Sequence, residues 1–182
     1  TSTQSGMTLG VLIVTLNFMT DEVSKDTLTG LNNRLAFDSL LKEIEDEKDT
    51  SKNWFMLMID VNGLKATNDE YGHEAGDSLI SGTAGVIKET YGEKGHCFRI
   101  GGDEFAVFTF IDNQSDTDIC DKIHDECDRY NASSEKTYYI DISTGSVSFI
   151  NEDGVDVNKK LDEADDILYQ NKRYKRKNII KK

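Results

Sequence analysis

A glycine pair between two apolar runs constrains the fold of this chain more than any other feature. In chain order the segments are His96-Cys97-Phe98, Arg99-Ile100-Gly101-Gly102-Asp103-Glu104-Phe105 and Ala106-Val107-Phe108-Thr109-Phe110. Two strand-like runs joined by glycines predict a β-hairpin, and we expect Gly101 and Gly102 to supply the positive φ of a tight turn. The turn then carries two adjacent carboxylates, Asp103 and Glu104. Acidic residues are common in solvated turns, so the hairpin alone identifies no site.

A second acidic position follows an apolar run upstream of the hairpin. The run is Trp54–Ile59, and Asp60 comes directly after it. Consecutive apolar residues are typical of a strand that is covered on both faces. A carboxylate at the end of such a strand is costly to desolvate unless it is paired or bound to a metal. Two carboxylate-bearing strand ends placed side by side would form an all-oxygen site suited to Mg²⁺ or Mn²⁺.

Composition limits the partners and the compartment. The 182 residues include 34 acidic and 21 basic residues, a formal net charge of −13. Such a charge repels nucleic acid, so a duplex-binding role is disfavoured. A nucleotide substrate stays open, because metal ions and a few local cations can offset a triphosphate. Cys97, Cys120 and Cys127 show no CxxC spacing, so we expect reduced core residues of a cytosolic domain.

The first 25 residues are expected to be separate from the domain that follows. Residues 7–20 are mostly apolar but fall short of the roughly 20 residues that span a bilayer. Three interpretations stay open: the end of a membrane helix, the last strand of an upstream sensor domain, and a helical dimerisation stalk. The stalk is favoured because residues 21–25 continue without a turn signal. The chain is therefore divided into a stalk or linker, residues 1–25, and one domain, residues 26–182.

Hydrophobic spacing predicts alternating helices and strands in that domain. The expected elements are a helix capped by Asn32, a charged loop at 42–53, the strand that ends at Asp60, helices at 64–71 and 75–91, the hairpin, a helix at 116–130, one or two strands within 137–150, a helix at 157–174 and an edge strand at 178–180. This order predicts an α/β (α+β) sandwich with a ferredoxin-like βαββαβ core, in which helices flank a central, mostly antiparallel sheet.

Five short motifs occur in a fixed order along the chain. They are Asp26-x-Leu28-Thr29-Gly30-Leu31-x-Asn33-Arg34, Asp60-Val61-Asn62-Gly63-Leu64-Lys65-Ala66-Thr67-Asn68-Asp69, Tyr71-Gly72-His73-x-x-Gly76-Asp77, Gly101-Gly102-Asp103-Glu104-Phe105 and Ala164-Asp165-x-x-Leu168-Tyr169-x-x-Lys172. Together they resemble the GGDEF domain, the diguanylate cyclase family, from Asp26 to about Asn178. The resemblance implies a palm-like nucleotidyl cyclase fold. It also implies that two GTP molecules condense to cyclic di-GMP and release two diphosphates.

The resemblance further implies a metal centre. Asp60, the carbonyl of Val61 and Asp103 would ligate two Mg²⁺ (or Mn²⁺) ions per active site. Glu104 would help to deprotonate the attacking ribose hydroxyl or complete the metal shell, and the two roles stay open.

Substrate contacts are implied in the same way. Lys65, Lys172 and Arg176 would hold the β- and γ-phosphates, with Lys65 counted among the catalytic residues. Asn68 and Asp77 would bind the guanine edge. A carboxylate that accepts the N1 and N2 donors of guanine cannot do so with adenine, so Asp77 favours GTP over ATP.

The chain departs from the family pattern at several positions. Asn62 stands where a second aspartate is frequent, and Leu64 where phenylalanine is frequent. Lys175 and Lys177 replace the usual glycine and asparagine on either side of Arg176, which bears on the reach of that arginine.

The inhibitory product site of the family is also affected. That site is an Arg-x-x-Asp pair whose aspartate lies four residues before the position of Arg99. Here the two places hold Gly92 and Gly95, so we expect no product inhibition through that site.

One domain offers one nucleotide half-site, so the product requires a homodimer. The N-terminal segment is the expected connection to an upstream sensor domain. The catalytic domain is expected in the cytoplasm, with the full-length protein tethered to the inner face of the membrane only through a missing N-terminal segment.

Two alternatives stay open. The first is a catalytically weak GTP-binding module that acts as a receptor or scaffold, which Asp60, Asp103, Glu104 and Lys65 disfavour. The second is a cyclase that makes a mixed purine dinucleotide, which Asp77 disfavours.

Overall fold

A computed structural model describes residues 23–111, 115–136 and 138–179. The elements are α1 (Arg34–Asp46), β1 (Asp49–Val61), α2 (Leu64–Tyr71), α3 (His73–Tyr91), β2 (Gly95–Arg99), β3 (Glu104–Phe110), α4 (Asp116–Ser133), β4 (Ile142–Asn151) and α5 (Val157–Ile179). This order confirms the predicted one from the first helix to the last, but not the edge strand predicted after it. The stalk prediction falls largely on residues 1–22, which lie outside the described residues. Among the helices described, none has the length and apolarity needed to cross a bilayer.

The four strands form one sheet in the order β2-β3-β1-β4. Each neighbouring pair is antiparallel, as the ferredoxin-like prediction requires. β1 is a central strand, and its apolar run Trp54–Ile59 is buried throughout. The prediction of a covered central strand is therefore confirmed.

Side chains of β1 alternate between two hydrophobic cores, because successive strand residues point to opposite faces. Phe55, Leu57 and Ile59 pack with residues of α3 and α4. Met56 and Met58 pack on the other face with residues of α1 and α5. Helices thus cover both faces of the sheet. By the same alternation, the residue after Ile59 points towards α1 and α5.

The charged loop predicted at 42–53 is much shorter in the structure. α1 continues to Asp46 because Ile44 is buried and holds this turn of the helix against the sheet. β1 already begins at Asp49, which pairs with Asn151 at the end of β4. Only residues 47 and 48 separate the two elements. The charged side chains of this region therefore belong to regular structure.

Two helix ends also differ from the prediction. The N-cap of α1 is Asn33, whose side chain accepts a hydrogen bond from the Ala36 N–H, whereas the side chain of Asn32 accepts one from Lys25. At the other end of the chain, residues 178 and 179 lie in α5 and not in an edge strand. No glycine or proline interrupts the sequence after Tyr174, so the helix continues.

The three cysteines form no disulfide among the described residues and lie in or against the core, as predicted. Cys97 and Cys127 are buried, and Cys120 is half-buried. Burial raises the pKa of the Cys97 thiol to about 11 and that of the Cys127 thiol to about 12. Both thiols are therefore protonated at neutral pH and act as small apolar residues.

Gly145 of β4 lies directly against the backbone of α5. A Cβ at this position would stand 2.2 Å from the Ala164 carbonyl oxygen and 2.3 Å from the Leu168 nitrogen. A packed helix backbone does not shift easily, so Gly145→Ala is expected to lower the free energy of unfolding by about 2–3 kcal/mol in urea denaturation. Gly85 on α3 is the matched control, with nothing within 4 Å of its Cβ position. Gly85→Ala should raise the free energy of unfolding by about 0.5–1 kcal/mol, and equal effects of the two changes would contradict the packing described.

Candidate functional site

The bend between β2 and β3 contains four residues, 100–103. The N–H groups of Ile100 and Gly101 both donate to the Glu104 carbonyl, at 2.9 and 3.3 Å. The hairpin prediction is confirmed, but the tight primed turn is wrong, since neither Gly101 nor Gly102 has a positive φ. Glycine at 101 instead permits a close approach, because a Cβ there would lie 2.5 Å from Glu104 Oε2.

The side chain of Arg99 binds the backbone of this bend and stabilises it. Its Nε donates to the Gly101 carbonyl at 3.2 Å, and its Nη2 donates to the Gly102 carbonyl at 2.9 Å. Its Nη1 binds the carboxylate of Asp26 at 3.2 Å. Burial disfavours the charged form of Asp26, but hydrogen bonds from Thr29 and Arg99 outweigh burial and hold the pKa of Asp26 below its ordinary value. The ion pair between Asp26 and Arg99 therefore stays charged at neutral pH.

Sequence reasoning gave neither Asp26 nor Arg99 a role. The two residues are far apart along the chain, and only the fold brings them together. A half-buried arginine beside an acidic loop carries no local pattern, so no sequence signal would have paired it with Asp26.

The end of β1 lies beside the bend, as predicted. The Val61 N–H donates to the Asp103 carbonyl at 2.9 Å, and Asp60 stands opposite Glu104 in the strand register. Residues that are directly opposite in an antiparallel pair project from the same face. Asp60 and Glu104 therefore both face α1 and α5, while Asp103 belongs to the bend itself.

Asp60 forms an ion pair with Lys172 of α5. The ammonium nitrogen lies 2.6 Å from each carboxylate oxygen of Asp60. The side chain of Asp60 is 10% exposed and that of Lys172 is 21% exposed. The expected phosphate ligand Lys172 is thus bound to the expected metal ligand Asp60.

A cavity of about 500 Å³ opens beside the bend. Five of the predicted site residues line it: Val61, Lys65, Asp103, Lys172 and Arg176. Its volume falls within the range of small-molecule sites, roughly 300–1,000 Å³. The lining thus combines four cationic side chains with the strand end at Val61 and three carboxylates, those of Asp69, Asp103 and Asp141.

Other predicted residues do not line this cavity. Asp60 is bound to Lys172, which does line it, and Glu104 projects towards α5. The pKa of Asp165 on α5 is raised, mainly by burial and next by the negative charge of Glu104. Asp165 therefore lies near Glu104, a proximity that the sequence motif containing Asp165 did not reveal.

Asn68 and Asp77 lie where α2 meets α3. The Oδ1 atom of Asn68 is buried and has no hydrogen-bond partner within the described part of the chain. A Cβ at Gly76 would stand only 1.9 Å from this atom, so the Asn68 amide lies against the residue next to Asp77. Asp77 itself is exposed. The unused amide acceptor therefore lies against the turn of α3 that carries Asp77, and an acceptor of this kind suits a ligand with N–H donors.

The two departures Asn62 and Lys175 bind the same carboxylate. Asn62 Nδ2 donates to Asp141 at 2.9 Å, and Lys175 Nζ donates to Asp141 at 2.8 Å and to the Ile142 carbonyl at 2.6 Å. A second carboxylate at position 62 would repel Asp141, whereas the amide donates to it. Sequence reasoning missed Asp141, because nothing in the local pattern distinguishes it from a surface aspartate.

The oxygen atoms of the site fit a divalent cation. Among the described residues, no group of three or more Asp, Glu, His or Cys side chains forms a metal site. The predicted set contains two carboxylates and a carbonyl, so phosphate and water oxygens would complete the shell. Asp60 already binds a cationic group with both oxygens, and Val61 and Asp103 line the adjoining cavity.

Comparison with known proteins identifies relatives of the whole domain. The family model described as diguanylate cyclase, GGDEF domain, matches residues 23–178. The diguanylate cyclase DgcN of Escherichia coli is 36% identical over 94 residues, which cover 52% of this chain and 23% of DgcN. An uncharacterized membrane protein of Staphylococcus epidermidis is 27% identical over 159 residues, which cover 85% of this chain and 44% of that protein. This chain therefore spans less than half the length of either curated relative.

Solved structures show the same fold. The coiled coil and GGDEF domain of DgcB from Caulobacter crescentus, in complex with c-di-GMP, superposes with a TM-score of 0.78 at 24% identity, covering 93% of this chain and 91% of that one. The GGDEF domain of TpbB, or YfiN, from Pseudomonas aeruginosa superposes with a TM-score of 0.69 at 29% identity, covering 82% of this chain and 89% of that one. With a family model that spans nearly all the described residues, this chain belongs to the GGDEF domain family of diguanylate cyclases.

Proposed function

We propose that this domain condenses two GTP molecules to cyclic di-GMP with release of two diphosphates. The observation that carries the proposal is the convergence of Val61, Lys65, Asp103, Lys172 and Arg176 on one cavity beside the hairpin bend. These side chains come from the end of β1, from α2, from the bend and from α5. A triphosphate and the oxygen ligands of a divalent cation would meet there.

The reaction depends mainly on positioning and on charge. A ribose 3′-hydroxyl attacks an α-phosphate in line with the departing diphosphate. Lys65, Lys172 and Arg176 would hold the β- and γ-phosphates. Two Mg²⁺ (or Mn²⁺) ions, when bound by Asp60, the Val61 carbonyl and Asp103, would offset phosphate charge and favour deprotonation of the hydroxyl.

Glu104 has two proposed roles at the same place. It stands opposite Asp60 in the register, so its carboxylate would either accept the hydroxyl proton or complete the metal shell. Arg99 is proposed as a positioning residue, because it binds the bend and not the cavity.

Selection of guanine is proposed to come from Asn68 and Asp77. The buried Oδ1 of Asn68 requires a donor, and the neighbouring carboxylate accepts two more hydrogen bonds. Guanine presents N–H groups on the edge that would face them, whereas adenine presents an acceptor at N1. GTP is therefore the proposed substrate.

The proposed assembly is a homodimer, because each domain carries one nucleotide half-site. An upstream sensor domain would control how often two domains meet. The solved structure of SiaD from Pseudomonas aeruginosa is a complex with its activator SiaC, and we propose that a partner regulates this chain as well. The catalytic domain is proposed to act in the cytoplasm, tethered to the membrane only through an N-terminal segment.

Product identification tests the proposed reaction. The protein is incubated with Mg²⁺ and with GTP, ATP or both, and the products are identified by mass. Cyclic di-GMP should form from GTP alone, and Asp103→Ala should reduce its formation by about 1,000-fold or more, because a metal ligand is lost. Asp125→Ala, which removes an exposed carboxylate of α4 away from the cavity, is the matched control and should leave turnover intact. Bound but unreacted GTP would indicate a receptor or scaffold, and a mixed dinucleotide would indicate a different cyclase.

Dependence on dimerisation is tested by dilution. Specific activity should rise with protein concentration and approach a plateau as the dimer fills. The measurement is initial rate per mole of chain over a wide concentration range, with analytical ultracentrifugation on the same samples. Constant specific activity in samples that sediment as monomers would refute the dimer requirement.

We expect no product inhibition, because Gly92 and Gly95 occupy the two positions of the family's inhibitory Arg-x-x-Asp pair. They lie on either side of the turn between α3 and β2. A Cβ at Gly92 would lie 2.4 Å from the Lys88 carbonyl oxygen, and one at Gly95 would lie 2.7 Å from the Phe108 carbonyl oxygen. The backbone here therefore leaves little room for the arginine and aspartate of the family site. Added cyclic di-GMP should inhibit only in competition with GTP, as initial-rate kinetics would measure. Strong non-competitive inhibition would show that a product site exists.

A further inference from the structure

The ion pair between Asp60 and Lys172 occupies the position that a metal needs. Its nitrogen is equidistant, at 2.6 Å, from both oxygens of the Asp60 carboxylate. The region between two carboxylate oxygens is also where a divalent cation binds in a bidentate manner. One cationic group therefore excludes the other from this carboxylate.

Of the cations that line the cavity, Lys172 is the one bound to Asp60. Lys175 is bound to Asp141 and to the Ile142 carbonyl. Lys65 and Arg176 line the cavity with no ion-pair partner among residues 23–111, 115–136 and 138–179. If Lys172 changed its partner, the expected metal ligand Asp60 would lose its ion pair. A change of partner at the other cations of the cavity would leave Asp60 unaffected.

We propose that Lys172 acts as a built-in substitute for the divalent cation in the nucleotide-free site. The proposal rests on the proposed function, since it concerns how that site is loaded. When the metal–nucleotide complex enters, Asp60 exchanges the ammonium for the metal, and Lys172 transfers to a phosphate oxygen. Both partners of the ion pair thereby obtain a new partner of opposite charge in one event.

Electrostatics makes the two exchanges depend on each other. Asp60 is largely buried, so a state in which it has lost Lys172 and gained nothing leaves an unpaired buried carboxylate. A metal ion alone would displace Lys172 without offering it a phosphate, and a nucleotide alone would attract Lys172 without offering Asp60 a cation. The metal and the nucleotide therefore bind together, and the metal binds weakly by itself.

The test measures Mn²⁺ binding in the absence of any nucleotide. The full chain and two variants are titrated with Mn²⁺, and free Mn²⁺ is followed by electron paramagnetic resonance. Lys172→Met removes the charge that competes for Asp60 and should tighten Mn²⁺ binding by at least about tenfold. Lys175→Met is the matched control, because it removes a cation of the same cavity that is bound to Asp141 and not to Asp60. It should change Mn²⁺ affinity by less than about threefold.

Three results would overturn the proposal. They are an unchanged Mn²⁺ affinity in Lys172→Met, an equal tightening of Mn²⁺ binding in both variants, and an absence of Mn²⁺ binding in the wild type and both variants. Equal tightening would mean that the total charge of the cavity sets the Mn²⁺ affinity. Lys172 would then not compete specifically with the metal for Asp60. If Lys172→Met is unfolded without metal, Mn²⁺ is titrated against its circular dichroism. Refolding at concentrations that wild type does not bind supports the proposal, and no refolding overturns it.

Failure of this proposal and failure of the proposed function are distinguishable. Mn²⁺ binding without nucleotide does not depend on turnover. If the wild-type chain makes cyclic di-GMP and Lys172→Met has an unchanged Mn²⁺ affinity, only the proposal that Lys172 stands in for the metal is refuted. A chain that makes no product, together with a variant of higher affinity, would refute only the cyclase activity.

Discussion

The pairing of β1 with β3 is the constraint on which the rest of the site depends. It places Asp60 opposite Glu104 and brings the Val61 N–H to the Asp103 carbonyl. Because side chains in a strand alternate, a shift of one residue would move Asp60 to the opposite core. The buried run before Asp60 prevents that shift, since its alternate members already fill two different cores. The packing of the sheet therefore fixes the position of the chemistry.

Several of these features could be predicted from the sequence, because they are encoded locally. The central strand follows from consecutive apolar residues, the helices from their spacing, and the hairpin from two runs joined by glycines. The turn type could not be predicted, because Gly101 serves a close approach to Glu104 and not a positive φ. The loop at 42–53 was mispredicted for a related reason, since the burial of Ile44 outweighs the charged composition around it.

The contacts within the site were the least predictable part. Motifs indicated which residues belong together, but not which partner each one has. Lys172 was expected to hold phosphate and is bound to Asp60, and Arg99 had no expected role and braces the bend. Asp141, which Lys175 and Asn62 share, is absent from the motifs altogether. Such partners depend on tertiary geometry, and charged residues of similar composition look alike along a sequence.

The charges around the cavity bear on how an acidic chain would accept the proposed triphosphate. The formal net charge of −13 repels the substrate at long range. The cavity lining also contains Asp69 and Asp103, and Lys172 and Lys175 are each paired with a carboxylate. Within the described residues, Lys65 and Arg176 are the lining cations without an ion pair, so they would be the first to bind a phosphate in the proposed reaction. Close contact with a phosphate would offer Lys172 a second partner, and a cation arriving with the nucleotide would offer one to Asp60. If the proposed exchange takes place, Asp60 and Lys172 would each have a partner of opposite charge both before and after the substrate binds.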